Sequence, residues 1–342
     1  MPDTSKQISA PNKLTDTFGR KISYVRLSVT DRCDLRCTYC MAEEMTFLPK
    51  ADVLTLEELH LLSEAFMDRG VRRIRLTGGE PLVRKGIMWL IERLGEDVAH
   101  GRLDEVTLTT NGTQLPHMAH DLYRAGVRRV NVSLDTLDPV LFRSITRRDR
   151  LDQVLEGIRA AKEAGLEVKI NTVALKGLND LEIPTLVSWC IDEKLDLTLI
   201  ETMPLGEVEE HREDRYLPLT ALLPSLTEKF RLTPSAHKTG GPARYYRMGE
   251  TGNRLGLITP LTGNFCDGCN RVRVTCTGRI YMCLGQDNHV DLRTALRSND
   301  PDSALDTALG TAMIEKPKGH DFEMADGQMR GTVGRHMSQT GG

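Results

Sequence analysis

Three cysteines, Cys33, Cys37 and Cys40, stand in the run TDRCDLRCTYC with C-x3-C-x2-C spacing. Thiolates so close in sequence converge on one metal centre if the loop carrying them curls around it. A structural zinc normally takes a fourth protein ligand. No Cys or His follows at short range, and His60 falls inside an expected helix. The spacing suits a 4Fe–4S cluster with one iron left open for a non-protein ligand. A second group, Cys266, Cys269 and Cys283, has C-x2-C-x13-C spacing, with Cys276 between its members. A four-cysteine zinc site therefore competes there with a second three-cysteine cluster. The segment RVRVTCTGRIYMC reads as a short β-hairpin turning near Thr277-Gly278. Strict alternation puts Arg271, Arg273 and Thr275 on one face and Val272, Val274 and Cys276 on the other. Cys276 then joins a small apolar core, the usual place of a structural thiol, and three cysteines remain for a cluster.

Cations accompany these thiols. Arginine offers a rigid two-pronged fork to phosphate, and lysine a point charge. Arg271 and Arg273 share a strand face beside Cys269, an arrangement suited to an anion. Arg75 lies between Ile74 and Leu76 and is expected to point into an interior, where its charge demands an anionic partner. Arg72, Arg73, Arg128 and Arg129 are expected to be solvated.

The elements that must position these groups alternate regularly. Strands are expected over 23–29, 71–77, 105–111, 127–135, 167–175 and 195–203. Helices are expected over 54–70, from Ile87, from the Asn111-Gly112 turn to Gly126, over 151–165 and over 182–193. Thr55 and Glu58 form a capping box for the first of these. Six strand–helix units imply a parallel α/β sheet, either open or an incomplete (βα)6 TIM-like barrel, with its working face at the carboxyl ends of the strands. Gly78-Gly79-Glu80-Pro81, Asn111, Ser133, Asp135, Asn171, Glu201 and Met203 fall at such ends. The alternation breaks near residue 205. The expected organisation is an N-terminal extension (1–20), the partial barrel (21–205), a C-terminal region with the hairpin (206–315) and a Gly-rich tail (316–342) ending in Gly341-Gly342.

The 342 residues are 39 % hydrophobic and 27 % charged, the balance of a folded globular protein, with a net charge of −3 that gives no support to general nucleic-acid or membrane-surface binding. The first 20 residues lack the apolar run of a signal peptide, and no 18-residue apolar stretch occurs. A cytoplasmic, reducing compartment is the expectation, in which eight cysteines serve metals or catalysis rather than disulfides.

C-x3-C-x2-C with Tyr39 before the last cysteine, in the loop after the first strand, resembles the signature of radical S-adenosylmethionine (SAM) enzymes. LTGGEPL resembles their GGE element. FCDGCNRVRVT, with NVSLDTLDP, VKINTV, IETMPLG and the closing Gly-Gly, resembles the molybdenum cofactor biosynthesis protein A family, the GTP 3′,8-cyclases.

The resemblance implies SAM and two 4Fe–4S clusters, one on Cys33, Cys37 and Cys40 and one on Cys266, Cys269 and Cys283. It implies SAM contacts from Tyr39, Gly79, Ser133 and Met203. It implies GTP contacts from Arg26, Arg75, Thr109, Lys169, Arg271, Val272 and Arg273, with the guanine on the open iron of the second cluster. Implied partners are GTP, a flavodoxin- or ferredoxin-type reductant and a downstream pyranopterin-forming enzyme; a homodimer is one option for assembly. Both clusters are expected to open into one cavity. Many relatives carry an Arg where this chain has Thr198. Similar chain ends are thought to reach the active site. Two rival readings are a radical SAM peptide-modifying enzyme and a zinc-binding interaction protein.

Overall fold

The structure, a computed structural model, describes residues 14–206, 212–263, 265–325, 328–331 and 333–341. Six strands alternate with helices: β1 (Tyr24–Ser28), β2 (Arg73–Thr77), β3 (Glu105–Thr110), β4 (Arg129–Ser133), β5 (Glu167–Ala174) and β6 (Asp196–Glu201). The helices between them are α1 (Leu56–Asp68), α2 (Ile87–Ala99), α3 (Leu115–Arg124), α4 (Pro139–Thr146), α5 (Leu151–Glu163) and α6 (Ile183–Asp192). The capping box of α1 is present: Thr55 accepts from the Glu58 amide, and Glu58 accepts from the Thr55 amide. The sequence analysis does not anticipate α4. Its start signals are plain, with Pro139 in the first turn and the Asp138 carboxylate accepting from the Leu141 amide at 2.7 Å.

The C-terminal region does more than pack on the barrel. It supplies β7 (Leu232–Pro234), β8 (Arg244–Met248), β9 (Arg254–Ile258), β10 (Arg271–Val274), β11 (Arg279–Tyr281) and β12 (His289–Asp291). All join the same sheet, in the order β12-β11-β10-β1-β2-β3-β4-β5-β6-β9-β8-β7. β10 runs parallel to β1, and β9 parallel to β6. The six strands of the repeating units thus gain a parallel strand at each edge, and the sheet remains an open barrel. Strand–helix alternation could not reveal β9 and β10, because no crossover helix leads into either. The expected hairpin is present, pairing Arg273 with Tyr281 and Val274 with Ile280.

Alternation divides the strands into two faces. Ile74, Leu76, Val106, Leu108, Val130, Val132, Ile170 and Leu197 join the helices in one continuous hydrophobic core. The other face carries Arg273, Arg26, Arg75 and Thr107 in one lateral row of paired positions. Thr109, Asn131 and Lys169 form a second row two residues further along β3 to β5, and Ser133, Asn171 and Thr198 a third. This is the polar lumen.

The described residues near both ends of the chain are tied into the fold. Residues 1–13 of the expected loose extension lie outside the described residues. Leu14 is buried, and Arg20 donates to the carbonyls of Cys266 and Pro317. The Gly-rich tail folds back: β13 (Glu323–Ala325) pairs with β14 (Gln328–Arg330), and Val333 bridges to Leu205. Phe322, Val333 and Leu205 form a small second apolar cluster that anchors it.

Candidate active site

The first cysteine loop follows β1. Its backbone is tied to the end of α4, where the Arg36 amide donates to Thr146 and the Thr38 amide to Ile145, each at 2.9 Å. The turn closes locally, with the Cys40 amide on the Cys37 carbonyl at 2.9 Å. Burial pushes the Cys33 thiol up to about 12, with the Glu80 carboxylate adding to it. Burial raises Cys37 as well, and Cys40 and Cys33 lie close enough to add to it. Neighbouring thiols that resist ionising together are suited to a metal that takes their protons. Tyr39 donates to the Asp135 carboxylate at 2.7 Å, so this tyrosine pins the loop to the end of β4. Asn111 donates to Asp34 at 2.7 Å and lies 3.7 Å from the Cys33 sulfur.

Close packing of two loops requires glycine at positions 78 and 79. A Cβ on Gly78 would collide with the Thr30 carbonyl, and one on Gly79 with the Arg32 carbonyl. The glycines let the GGE loop lie against the cysteine loop, where the Gly79 amide donates to Thr30 at 2.9 Å and the Glu80 amide to Arg32 at 2.8 Å. Glu80 is fully buried and accepts from Leu82, Thr110 and the Asn111 amide. Burial raises its carboxyl to about 7 against these hydrogen bonds.

The second trio lies beside the arginine face. Cys269 and Cys283 are half-buried and Cys266 is buried. The Cys283 thiol lies close enough to Cys266 and Cys269 to be raised by them. Burial raises Cys269 too, but Lys316 and Arg271 overcome it and hold this thiol below its ordinary value. Cys276 has other neighbours, Asp31, Arg84 and Ser28, and is almost fully buried. It belongs with the core, as the alternation predicts, and not with the trio. Among the described residues no three Cys, His, Asp or Glu side chains converge on a single ion; a cubane spreads its thiolates around four irons instead.

One expectation needs correction. The working face was expected at the carboxyl ends of the strands, yet Cys269 precedes the amino end of β10, while Cys33 follows the carboxyl end of β1. Since β1 and β10 run parallel and pair Tyr24 with Arg271, the two trios flank opposite ends of this strand pair. β10 enters the sheet without a crossover, so its cysteine loop comes before the strand rather than after it. Arg271, Arg26 and Arg273 lie along the pair between the trios.

These cations are a site in want of an anion. Arg26, Arg75 and Arg273 are each only 7 % exposed. Burial, then Arg75, lowers Arg26 to about 9, and burial with Arg26 and Arg271 lowers Arg273 far below its usual value. Lys169 is lowered to about 7 by burial and then by Arg75 and Arg129, and its Nζ lies 3.4 Å from the Tyr245 hydroxyl. The buried Nε atoms of Arg26, Arg75 and Arg271, the Thr109 and Thr198 hydroxyls, and the Asn131 and Asn171 carbonyl oxygens have no partner. Buried polar groups are normally satisfied, and a nucleotide with its phosphates supplies both the charge and the donors missing here.

Of the expected residues, Arg26, Arg75, Thr109, Lys169, Arg271 and Arg273 share the lumen face. Val272 does not: its side chain is in the core, leaving only its main chain for a ligand. Arg129, expected to be solvated, is largely buried on Glu105 at 2.7 Å. Ser133 stands on the lumen row and Met203 packs against the small cluster that anchors the tail. Asp135 and Glu201 are structural: Glu201 is fully buried and accepts from the amides of Leu219, Leu261 and Thr262. Asn131, Lys316 and Tyr245 also line the site and lie outside the sequence expectations. A polar residue between Val130 and Val132 was the signal for Asn131; the other two depend on distant parts of the chain.

The tail enters the same space. Arg273 donates to the carbonyls of Thr340 and Gly341. Gly342 lies outside the described residues. A cavity of about 1000 Å³ opens at the amino ends of β2 to β6, lined by Arg73, Glu105, Arg129, Glu167 and Asp196, and it reaches Lys169 and Tyr245 of the lumen. Its charges largely pair with each other, as in Arg129–Glu105 and Arg254–Asp196.

Two family models match the chain: the Radical SAM superfamily over residues 27–190 and Molybdenum Cofactor Synthesis C over residues 195–322. Among solved structures, the chain resembles Streptococcus suis SuiB bound to S-adenosylmethionine (TM-score 0.60, 18 % identity, 85 % of this chain and 68 % of that one). It also resembles anSMEcpe with bound AdoMet (TM-score 0.52, 16 % identity, 83 % of each chain). These likenesses show the fold. Among curated proteins, a GTP 3′,8-cyclase of Erythrobacter litoralis (strain HTCC2594) is 62 % identical over 97 % of this chain and all of its own length. One from Sinorhizobium medicae (strain WSM419) is 60 % identical over 98 % of this chain and 96 % of its own. At this identity over nearly the whole length of both chains, the chain belongs to the family of GTP 3′,8-cyclases.

Proposed function

We propose that this chain joins ribose C3′ of GTP to guanine C8, giving (8S)-3′,8-cyclo-7,8-dihydroguanosine 5′-triphosphate for molybdenum cofactor biosynthesis. The observation that carries the reading is the row of buried cations, without a carboxylate partner among the described residues, between two separate cysteine trios. Cys33, Cys37 and Cys40 would hold one 4Fe–4S cluster, and Cys266, Cys269 and Cys283 the other. When bound, the first cluster with SAM would supply radical chemistry at the ribose, and the second an open iron for the base.

The protein residues do the positioning. Arg26, Arg75, Arg271 and Arg273 clamp the triphosphate, with Lys169 as a point charge and Thr109 as a neutral donor. The arginine side chains are already assembled and desolvated, so little reorganisation is needed as the nucleotide arrives. Tyr39, Gly79, Ser133 and Met203 shape the SAM side of the lumen. A bound nucleotide held at both ends keeps its ribose at a fixed height against the radical source.

No described helix is long and apolar enough to cross a membrane. The reading adds a flavodoxin- or ferredoxin-type reductant, a cytoplasmic setting, a pyranopterin-forming enzyme downstream and a homodimer as the assembly to test by sedimentation. The decisive experiment is anaerobic reconstitution followed by incubation with GTP, SAM and a reductant. The expected results are about eight irons per chain, as two cubane clusters require, and the cyclised triphosphate. One zinc per chain, or cleaved SAM with unchanged GTP under every reductant, would sink the reading.

A further inference from the structure

The second trio is crossed by a strap that no motif marks. Residues 316–320, KPKGH, run from the end of the helix Pro301–Glu315 back over the cysteines. The Lys316 ammonium is almost fully buried, at 2 % exposure. It donates to the Met282 carbonyl at 2.6 Å, to the Arg271 carbonyl at 3.2 Å and to the Cys269 sulfur at 3.6 Å. Those three acceptors come from β10, from the residue before Cys283 and from the cysteine loop. The backbone of His320 hydrogen-bonds to Cys266, and the position of a Cβ on Gly319 is 3.4 Å from the Cys266 sulfur. From the outer side Arg20 donates to the carbonyls of Cys266, Pro317 and Lys318, which holds the strap down.

A buried ammonium needs compensating negative charge, and carbonyls alone supply only dipoles. The remaining acceptor is a thiolate. We infer that Lys316 is a positioning residue for the second cluster, fixing the Cys269 thiolate and setting the cluster's reduction potential through its charge and its N–H···S hydrogen bond. Hydrogen bonds to cluster sulfurs and nearby charge are the protein's means of setting such potentials. A fixed cation stabilises the more negative, reduced state, so Lys316 raises the potential. Arg271 lies on the lumen side and is available to the nucleotide; Lys316 is spent entirely on the cluster side.

This inference rests on the reading of Cys266, Cys269 and Cys283 as cluster ligands. Iron analysis of the parent tests that reading alone: about four irons per chain, where two cubanes give about eight, would remove it. The inference itself is tested by redox titration of the reconstituted full chain, followed by electron paramagnetic resonance. The second cluster's signal is the one that survives in the Cys33→Ala, Cys37→Ala, Cys40→Ala background.

Lys316→Met removes the charge and keeps the stem; its midpoint potential should fall. Lys316→Arg should restore it. Lys316→Gln keeps a donor without the charge and gives a second reading where the Met variant does not hold iron; its potential should also lie below the parent's. Unchanged potentials with full iron would overturn the inference. So would loss of the second cluster in both neutral variants, which would make Lys316 a scaffold cation only.

Discussion

Arg273 holds Gly341 inside the barrel. Its guanidinium donates to the Gly341 carbonyl and, at 3.3 Å, to that of Thr340, although the two residues are 68 positions apart. The arginine belongs to the same lateral row as Arg26 and Arg75, so the chain end sits at the site proposed for the triphosphate. The tail is therefore part of the lumen wall, and it occupies one of the four arginines placed there.

That contact depends on glycine. Gly341 has a φ of 70°, and a Cβ there would collide with the Thr77 hydroxyl on β2. With ψ at 147° this is an extended, positive-φ conformation that is essentially confined to glycine and costs a residue with a side chain about 1–3 kcal/mol. Gly341→Ala should lower cyclisation by about tenfold or more while leaving iron content unchanged, since each 1.4 kcal/mol is a factor of ten. Deleting Gly341-Gly342 should act in the same direction. Full activity in the alanine variant would return the tail to a spectator.

The nucleotide-free protein carries the strain of assembled like charges. Arg26 is pressed by Arg75 and Arg271 as well as by burial. Arg26→Ala should therefore raise the melting temperature without nucleotide and yet weaken GTP binding. Hydrogen bonds to charged groups contribute roughly 1.5–3 kcal/mol, so the loss is about 10- to 100-fold. Guanosine, which lacks phosphates, should bind parent and variant alike. A less stable variant with unaltered GTP affinity would make Arg26 an ordinary core cation.

The barrel was legible because local rules repeat along it. The capping box at Thr55 and Glu58 and the turns that end each helix fix element after element from neighbouring residues alone. Lumen residues such as Arg75 were legible from parity, a charge between Ile74 and Leu76. Lys316 was not, because nothing local to KPKGH says that it returns to Cys269. The joining of β10 to β1 was hidden for the same reason: it is set by long-range pairing of Arg26 with Arg273. The need for glycine at positions 78 and 79 was hidden too: they make room for the Thr30 and Arg32 carbonyls, a fact of tertiary packing.

The two trios should separate in function. Cys33→Ser should abolish 5′-deoxyadenosine formation from SAM. Cys266→Ser should retain part of it, uncoupled from GTP, because its trio lies at the far end of the β1–β10 pair. Cys276→Ser should keep iron near the parent value, since its neighbours are Asp31, Arg84 and Ser28 rather than the trio. Equal loss of SAM cleavage in the first two variants would contradict the division. A large loss of iron in the third would favour a four-cysteine site.

Lys169 makes GTP binding depend on pH with a defined sign. Its ordinary value is 10.5, and burial with Arg75 and Arg129 brings it to about 7 in the folded, nucleotide-free protein; Asp196 opposes that shift and Arg26 adds to it. Between these values the unfolded chain binds more protons, so this group makes the nucleotide-free fold more stable as pH rises through that window and less stable as pH falls toward 7. A bound triphosphate reverses the local charge and favours the ammonium again. Binding above pH 7 must then take up a proton, and affinity should fall as pH rises, by up to about tenfold per unit. Calorimetry in two buffers of different ionisation enthalpy reads the proton directly. Lys169→Met should lower affinity at pH 7 and flatten the dependence between about pH 7 and 9. A parent whose GTP affinity and proton uptake do not change across that range would show that Lys169 keeps one charge state throughout, and would remove it from the phosphate site.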